Sequence, residues 1–361
     1  MTETAVQAAP VDATREARHA QAMTMLPERF EAKVLLTGAS GFVGSRLRDA
    51  LLDAGADVLA VRRKSSPEPK AQGSRAARSI VAEYDDTRGL AELFAREKPD
   101  FVFHVAGATK GVSYADFQHA NVMPTRNLLR AAREEHPTLE RFVHVSSLAA
   151  FGPSSPSRPH EETHAPTPIE HYGRSKLEAE QVLAQEAGGV AWTILRPSGV
   201  YGPGDADYFN LFREVERGRN VYFGNRKRWF SAVYVDDCVR AIVAAARSER
   251  TRGEGYFLCD GEPTTWEAFQ EEIVHASGRK VLTLDLPEFL VDIAALGGEL
   301  ATRFDGKPRL FNRQKATMGA QAAWTCTHDK AREHFGYRPE VLRADGVKRT
   351  LEWYRAERWL P

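Results

Sequence analysis

The stretch Lys33-Val-Leu-Leu-Thr-Gly-Ala-Ser-Gly-Phe-Val-Gly44 constrains the fold of this 361-residue chain more than any other part of it. An apolar run over Val34 to Leu36 predicts a buried strand. Gly38, Gly41 and Gly44 follow at once, and Ser45 to Ala54 reads as a helix. A strand, a tight turn and a helix N-terminus together suit an anionic ligand, because glycine lets the backbone come close and the first N–H groups of a helix have no partner inside it. A glycine trio alone carries little weight. Its weight comes from the flanking strand and helix and from the β/α alternation that follows.

That alternation continues through Asp57–Arg62, a second strand entered from Gly55 as a helix C-cap. The segment Ser65 to Arg78 reads as a loop, Ser79 to Glu83 as a third strand and Thr87 to Glu97 as a helix. Asp100 to Ala106 predicts a fourth strand running into Gly107-Ala-Thr-Lys-Gly111, Asp116 to Glu135 one long helix, and Arg141 to Ser147 a fifth strand. This rhythm predicts the α/β class, a Rossmann-type doubly wound parallel sheet whose strand ends line a ligand crevice, with a smaller C-terminal α/β substrate-binding region. In such folds an acid at the end of the second strand bonds the ribose 2′-OH of NAD, whereas a basic residue there suits the 2′-phosphate of NADP. Here the strand ends in Arg62-Arg63-Lys64-Ser65-Ser66, with no acid before Glu68. NADP(H) is therefore the expected cofactor, with NAD(H) as the alternative.

Ser146 and Ser147 end the fifth strand, a Pro/Ser-rich loop runs from Phe151 to Pro168, and Tyr172-Gly-Arg-Ser-Lys176 opens a helix reaching about Ala187. Tyr172 and Lys176 stand four apart, on one helix face. An adjacent ammonium favours phenolate, so Lys176 is expected to lower the Tyr172 pKa and make it a general acid/base, with Ser147 bonding a substrate oxygen. A tyrosine and lysine at this spacing also decorate ordinary helix surfaces. The serine-ended strand and the glycine turn are what single this pair out.

At this point the chain resembles an extended short-chain dehydrogenase/reductase of the epimerase/dehydratase superfamily, closest in look to the 3β-hydroxysteroid dehydrogenase-like branch. The resemblance runs from Lys33 onward and rests on Thr37-Gly-Ala-Ser-Gly-Phe-Val-Gly44, His104-Val-Ala-Gly107, Asn121 with Thr125 and Asn127, and Val145-Ser-Ser147. It continues through Tyr172-xxx-Lys176, Leu195-Arg-Pro-Ser-Gly-Val-Tyr-Gly-Pro-Gly204, Val233-Tyr-Val-Asp-Asp237 and Gly336-Tyr-Arg-Pro339. It implies a catalytic set of Ser147, Tyr172 and Lys176. The implied cofactor site takes Gly38, Ser40, Gly41, Phe42 and Val43 for the pyrophosphate, and Arg62, Arg63, Glu83 and Tyr84 beyond the second and third strands. Val105, Ala106, Gly107, Tyr172, Lys176, Pro197, Gly199 and Val200 complete it. Thr109, Ser147, Phe151, Ser198 and Phe230 are the implied substrate residues, and a homodimer through the helix carrying Tyr172 is a common arrangement in the family.

Departures from the pattern bear on the substrate. Nucleotide-sugar members carry an arginine six residues before the first acid of the Val-Asp-Asp motif, and counting back from Asp236 reaches Phe230. Arg226, Lys227 and Arg228 lie just upstream, so a shift of register would restore a cation there. The tyrosine of the family's Val-Tyr-Gly is Phe151, which has no hydroxyl. Near the C-terminus, Thr264 or Thr265 caps a helix to Ala276, and Arg343 to Arg358 closes the chain as another. Between them Phe289, Leu290, Ile293 and Leu296 form one apolar helix face after Pro287, suited either to an apolar substrate or to packing on the neighbouring domain.

Composition narrows the remaining classes. Forty-nine basic and forty-nine acidic side chains balance, giving no charge-based reason to expect nucleic acid or an anionic membrane as partner, and no apolar run is long enough to span a bilayer. Cys238, Cys259 and Cys326 fit no metal spacing and read as reduced thiols of a cytoplasmic protein. Residues 1–32 read as a poorly ordered extension, with a short helix over Asp12 to Ala22 as the alternative, residues 33–196 as the NAD(P)-binding domain, and 197–361 as mainly substrate-binding, with segments returning to the first domain. The expected activity is reduction of a ketone, or oxidation of a secondary alcohol, on a fairly apolar small molecule. The alternatives are a nucleotide-sugar epimerase or dehydratase with internally recycled cofactor, and a non-catalytic NADP-binding sensor.

Overall fold

The computed structural model describes residues 26, 28–69, 76–305 and 313–360. Seven strands form one parallel sheet: β1 (Lys33–Thr37), β2 (Asp57–Arg62), β3 (Arg78–Val81), β4 (Phe101–His104), β5 (Arg141–Val145), β6 (Trp192–Pro197) and β7 (Glu254–Leu258). Their order across the sheet is β7-β6-β5-β4-β1-β2-β3. The chain winds outward in one direction from β1 through β2 and β3, and in the other from β4 to β7. The reversal leaves a crevice beyond the carboxyl ends of β1 and β4.

Both faces of the sheet are covered, which is why its central strands are apolar throughout rather than alternating. Val34 and Leu36 face α1 (Phe42–Asp53) and a helix over Val235–Arg247, in a core with Leu47, Leu51, Val239 and Ile242. Leu35 and Val102 point the other way, toward α2 (Thr87–Glu97), α3 (Met123–Glu135) and α4 (His171–Glu186), where Leu93, Phe94, Leu128 and Leu183 meet them. Asp86 caps α2 by accepting from Gly89 N at 2.9 Å. A third core joins Tyr201, Phe212, Phe230 and Tyr234 to Phe269 and Ile273 of α5 (Trp266–Ser277). Val347, Leu351 and Tyr354 of the closing helix Arg343–Ala356 belong to the same core, which is built from the later part of the chain.

Three expectations change. Phe30, placed in the extension from sequence, is buried, tilted against Phe101 at 5.0 Å and covered by the Arg247 guanidinium. The stretch Asp12 to Ala22, with its alternative of a short helix, lies outside the described residues. The helix expected over Asp116 to Glu135 is instead a turn of α-helix at Tyr114–Phe117, a π-helical turn at Gln118–Val122, and then α3. Pro124 explains the break, since it donates no N–H and its ring crowds the carbonyl four residues back, so the ladder widens there. Finally, Phe289, Ile293 and Leu296 of α6 (Phe289–Asp305) are 57%, 60% and 47% exposed, so among the described residues no neighbouring domain covers these three side chains. Among the described residues no helix is long and apolar enough to cross a membrane.

Candidate active site

A cleft of about 1010 Å³ opens at the carboxyl ends of the strands, larger than a single small ligand needs. Its floor is the turn after β1. Gly38 has φ +76°, and a Cβ there would stand 2.7 Å from Ala106 N; one on Gly44 would stand 2.0 Å from the Gly38 carbonyl oxygen. Only glycine permits that approach between the turn, the helix start and the end of β4. Gly41 caps α1 without a side-chain hydrogen bond, leaving first-turn N–H groups for an anion. Thr37 Oγ1 accepts from Ala106 N at 3.1 Å and lies 2.8 Å from His104 Nδ1, tying the turn to β4. The residues named from sequence for the cofactor, from Gly38 and Ser40 through Arg63, Tyr84 and Gly107 to Val200, all line this cleft. The bare glycine floor and open helix start fit a dinucleotide pyrophosphate.

At the far end of that wall, Arg62 donates to Ser79 Oγ at 3.1 Å and to the Ser66 carbonyl at 3.2 Å, and it pairs with Glu68. Its fork is therefore largely committed within the protein. Arg63 lies exposed along the same cleft wall.

The catalytic candidates come together through close backbone packing. A Cβ on Gly173 would meet the Ala149 carbonyl oxygen at 2.2 Å, so this glycine lets the start of α4 press onto the short turn Leu148–Ala150 after Ser147. Glu170 caps α4 by accepting from Gly173 N at 2.8 Å. Tyr172 is thereby placed to hydrogen-bond Ser147. Asn121, in the π-helical turn, donates to Ser175 Oγ at 2.8 Å and to the Ala108 carbonyl at 3.1 Å, and accepts from Ala108 N at 2.7 Å. It thus locks the loop after β4 to α4. Lys176 is buried and donates from Nζ to the Val145 carbonyl at 2.8 Å.

The electrostatics correct one expectation. Tyr172 is not lowered by Lys176: burial pushes its pKa up to about 12, against the opposing pull of the Ser147 hydrogen bond. Lys176 is pushed down to about 8 by burial, with the Glu180 carboxylate opposing. The reason is geometric, because the Lys176 ammonium is turned to the Val145 carbonyl. Tyr172 is thus held as the neutral phenol, the form that donates a proton.

Thr109, Ser147 and Ser198, expected to meet the substrate, line the cleft, and Ser198 Oγ is buried with no hydrogen-bond partner among the described residues. Phe151 and Phe230, expected there, stand one layer behind the wall. Phe151 packs edge-on to Phe257 at 4.8 Å with the Arg196 guanidinium over its ring at 4.7 Å. Phe230 is covered by Trp266, which lines the cleft. Trp266, Tyr208, Lys315 and Met318 were missed from sequence. They arrive from distant segments, and nothing in their local pattern sets them apart from packing residues. The register shift that would restore a cation is also absent. Arg226 pairs with Glu267 at 3.2 Å and Asp285 at 3.7 Å, Arg228 pairs with Glu288 at 2.7 Å, and neither lines the cleft.

Residues 34–258 match the model of the NAD dependent epimerase/dehydratase family. A 4-hydroxy-2-methyl-3-oxo-4-farnesyl-3,4-dihydroquinoline-1-oxide ketoreductase from Stigmatella aurantiaca is 28% identical over 322 residues, covering 87% of this chain and 94% of that one. A 2-alkyl-3-oxoalkanoate reductase from Stenotrophomonas maltophilia is 29% identical over 343 residues, covering 88% and 98%. Among solved structures, a UDP-glucose 4-epimerase from Thermotoga maritima with UDP-glucose superposes with a TM-score of 0.74 at 26% identity, covering 90% of this chain and 99% of that one.

Proposed function

Because the chain belongs to the NAD dependent epimerase/dehydratase family and is an NAD(P)-dependent oxidoreductase of the extended short-chain type, we propose its reaction from the way its cleft departs from the family's sugar-nucleotide members. The reaction is NADPH-dependent reduction of a ketone carried by a fairly apolar small molecule. The observation that carries this reading is the substrate end of the cleft. Where the resemblance places an arginine for a diphosphate, Phe230 stacks under Trp266, and the nearby arginines are held in ion pairs away from the cleft. The two reductase relatives support it, since their names place a ketone beside a hydrocarbon chain.

Gly38, Gly41, Gly107 and Lys176 along the cleft would hold the dinucleotide, whose nicotinamide, when bound, would supply a hydride for the carbonyl carbon. The rest falls to the side chains of this chain. Ser147 donates a hydrogen bond to the carbonyl oxygen and orients it. Tyr172, held neutral by burial, gives that oxygen its proton. Lys176, fixed by the Val145 carbonyl, would hold the nicotinamide ribose, and Ser198 Oγ offers a further polar contact to the substrate. Arg63, with Arg62 beside it on the cleft wall, would hold the 2′-phosphate.

The likeness to a sugar-nucleotide epimerase keeps a second reading, with cofactor recycled inside the site. Absorbance at 340 nm separates the two. A 2-alkyl-3-oxoalkanoate should consume NADPH in step with hydroxy product. Isomerisation of a UDP-sugar without net NADPH consumption would replace this proposal with the second reading.

A further inference from the structure

Behind the catalytic wall lies a buried carboxylate that the reaction as described does not use. Glu180 is on α4, one turn beyond Lys176 and two beyond Tyr172, so the three share a helix face. It is 4% exposed. Arg196 on β6 donates to it from Nε at 3.1 Å to each oxygen and from Nη2 at 2.9 Å, and Ser146 Oγ also donates to it. Ser146 sits between Val145, whose carbonyl takes the Lys176 ammonium, and Ser147. Arg196 immediately precedes Pro197 and Ser198 in the cleft wall. Arg196 is itself held in place, since a Cβ on Gly255 would stand 2.6 Å from its guanidinium nitrogens. One carboxylate therefore joins the ends of β5 and β6 to α4, the three elements that carry the catalytic groups.

A buried ion pair is a poor device for stability alone, because two well-packed apolar side chains do as well or better. An apolar pair, however, neither orients Ser146 nor answers the charge of Lys176. We propose that Glu180 is a positioning residue of the reaction: its carboxylate holds Ser147, Lys176 and the Arg196–Pro197 edge in register and supplies the counter-charge of the Lys176 ammonium. This rests on the catalytic reading of Ser147, Tyr172 and Lys176. The other groups facing this network are His144 on β5 and His104 on β4, both kept neutral by burial and by the positive charge of Lys176, together with Tyr172 and Glu162, which feels Arg196. Among these, Glu180 is the group that acts to retain the Lys176 proton against burial.

Two variants test it: Glu180→Gln, and the double variant Glu180→Leu/Arg196→Met, which leaves no buried charge unpaired. Melting temperature, kcat, KM and the pH profile of kcat/KM in the reducing direction are measured for each. In both variants the alkaline limb should move to lower pH by about one unit. Turnover at neutral pH should fall roughly ten- to a hundredfold through misplacement of Ser147 and Lys176, with KM for NADPH little changed. A folded double variant with wild-type turnover and pH profile overturns the proposal, as does a Glu180→Gln protein that loses only melting temperature. Tyr172→Phe, assayed alongside, separates the two readings. Full turnover there overturns the catalytic assignment, whereas an inactive Tyr172→Phe with a wild-type-like double variant overturns only the role of Glu180.

Discussion

The ring of Phe230 lies stacked on the indole of Trp266, with centroids 4.3 Å apart and planes 22° from parallel. Phe230 belongs to the third core and Trp266 to the cleft wall, so the pair transmits the packing of that core to the substrate end. Trp266→Ala removes an aromatic wall and should raise KM for an apolar ketone about tenfold while KM for NADPH stays unchanged. Steady-state kinetics with each substrate varied in turn checks this. An equal loss for both would place Trp266 in overall folding instead.

Cofactor choice should depend more on Arg63 than on Arg62, whose fork is engaged by Ser66, Glu68 and Ser79. Losing a charge-assisted contact to the 2′-phosphate costs about 1.5–3 kcal/mol, or roughly ten- to a hundredfold in affinity. Titrating NADPH and NADH into Arg63→Ala should show that loss for NADPH only. Equal weakening of both would remove the 2′-phosphate assignment.

Gly38→Ala should be severe, because the new Cβ meets Ala106 N at 2.7 Å and the residue sits at φ +76°. Strain of about 1–3 kcal/mol is expected, together with loss of NADPH binding. Thermal unfolding with and without NADPH reads both, and ligand-induced stabilisation equal to wild type would contradict a pyrophosphate site at this turn.

Much of the fold was legible because the strands of the sheet are short apolar runs between strong turn signals. Asp57–Arg62 and Thr87–Glu97 begin and end where the sequence places them. The π-helical turn was not legible, since Pro124 within a helical pattern announces a disturbance without its form. Spacing and family resemblance picked out the candidate trio Ser147, Tyr172 and Lys176, which line one cleft. The direction of the Tyr172 shift was not legible, because it depends on where the Lys176 ammonium points, and that is set by the Val145 carbonyl on another element. Trp266 and Met318 were invisible for a similar reason: only the tertiary fold brings them to the cleft.

Acid should unfold the protein through its buried histidines. His104 is pushed down to about 3 by burial and then by the Lys176 charge. His144 is lowered well below its ordinary value for the same reasons, and neither of its ring nitrogens has a hydrogen-bond partner among the described residues. Below the unfolded value of about 6.5 the unfolded chain takes protons that the fold refuses, so stability falls as pH drops, by up to about 1.4 kcal/mol per pH unit for each group. Asp205 and Asp260, raised to about 6 and about 7 by burial, act in the opposite sense, because the fold binds their protons first. Comparing His144→Leu with wild type cancels those common terms. Urea unfolding at pH 7 and pH 5 should show a smaller loss of stability in the variant, and an equal loss would exclude His144 as a source of acid sensitivity.

The proposed reaction turns on Tyr172 as the proton donor to a ketone oxygen in a step that consumes NADPH. Its most direct test is the turnover of wild type and Tyr172→Phe on a 2-alkyl-3-oxoalkanoate, with NADPH oxidation and hydroxy product measured together and NADPH binding measured separately. The predicted result is one NADPH oxidised per product in the wild type, and a rate lower by roughly 10²–10⁴ in the variant with NADPH binding intact. Wild-type turnover by Tyr172→Phe, or product formed without NADPH oxidation, would contradict it.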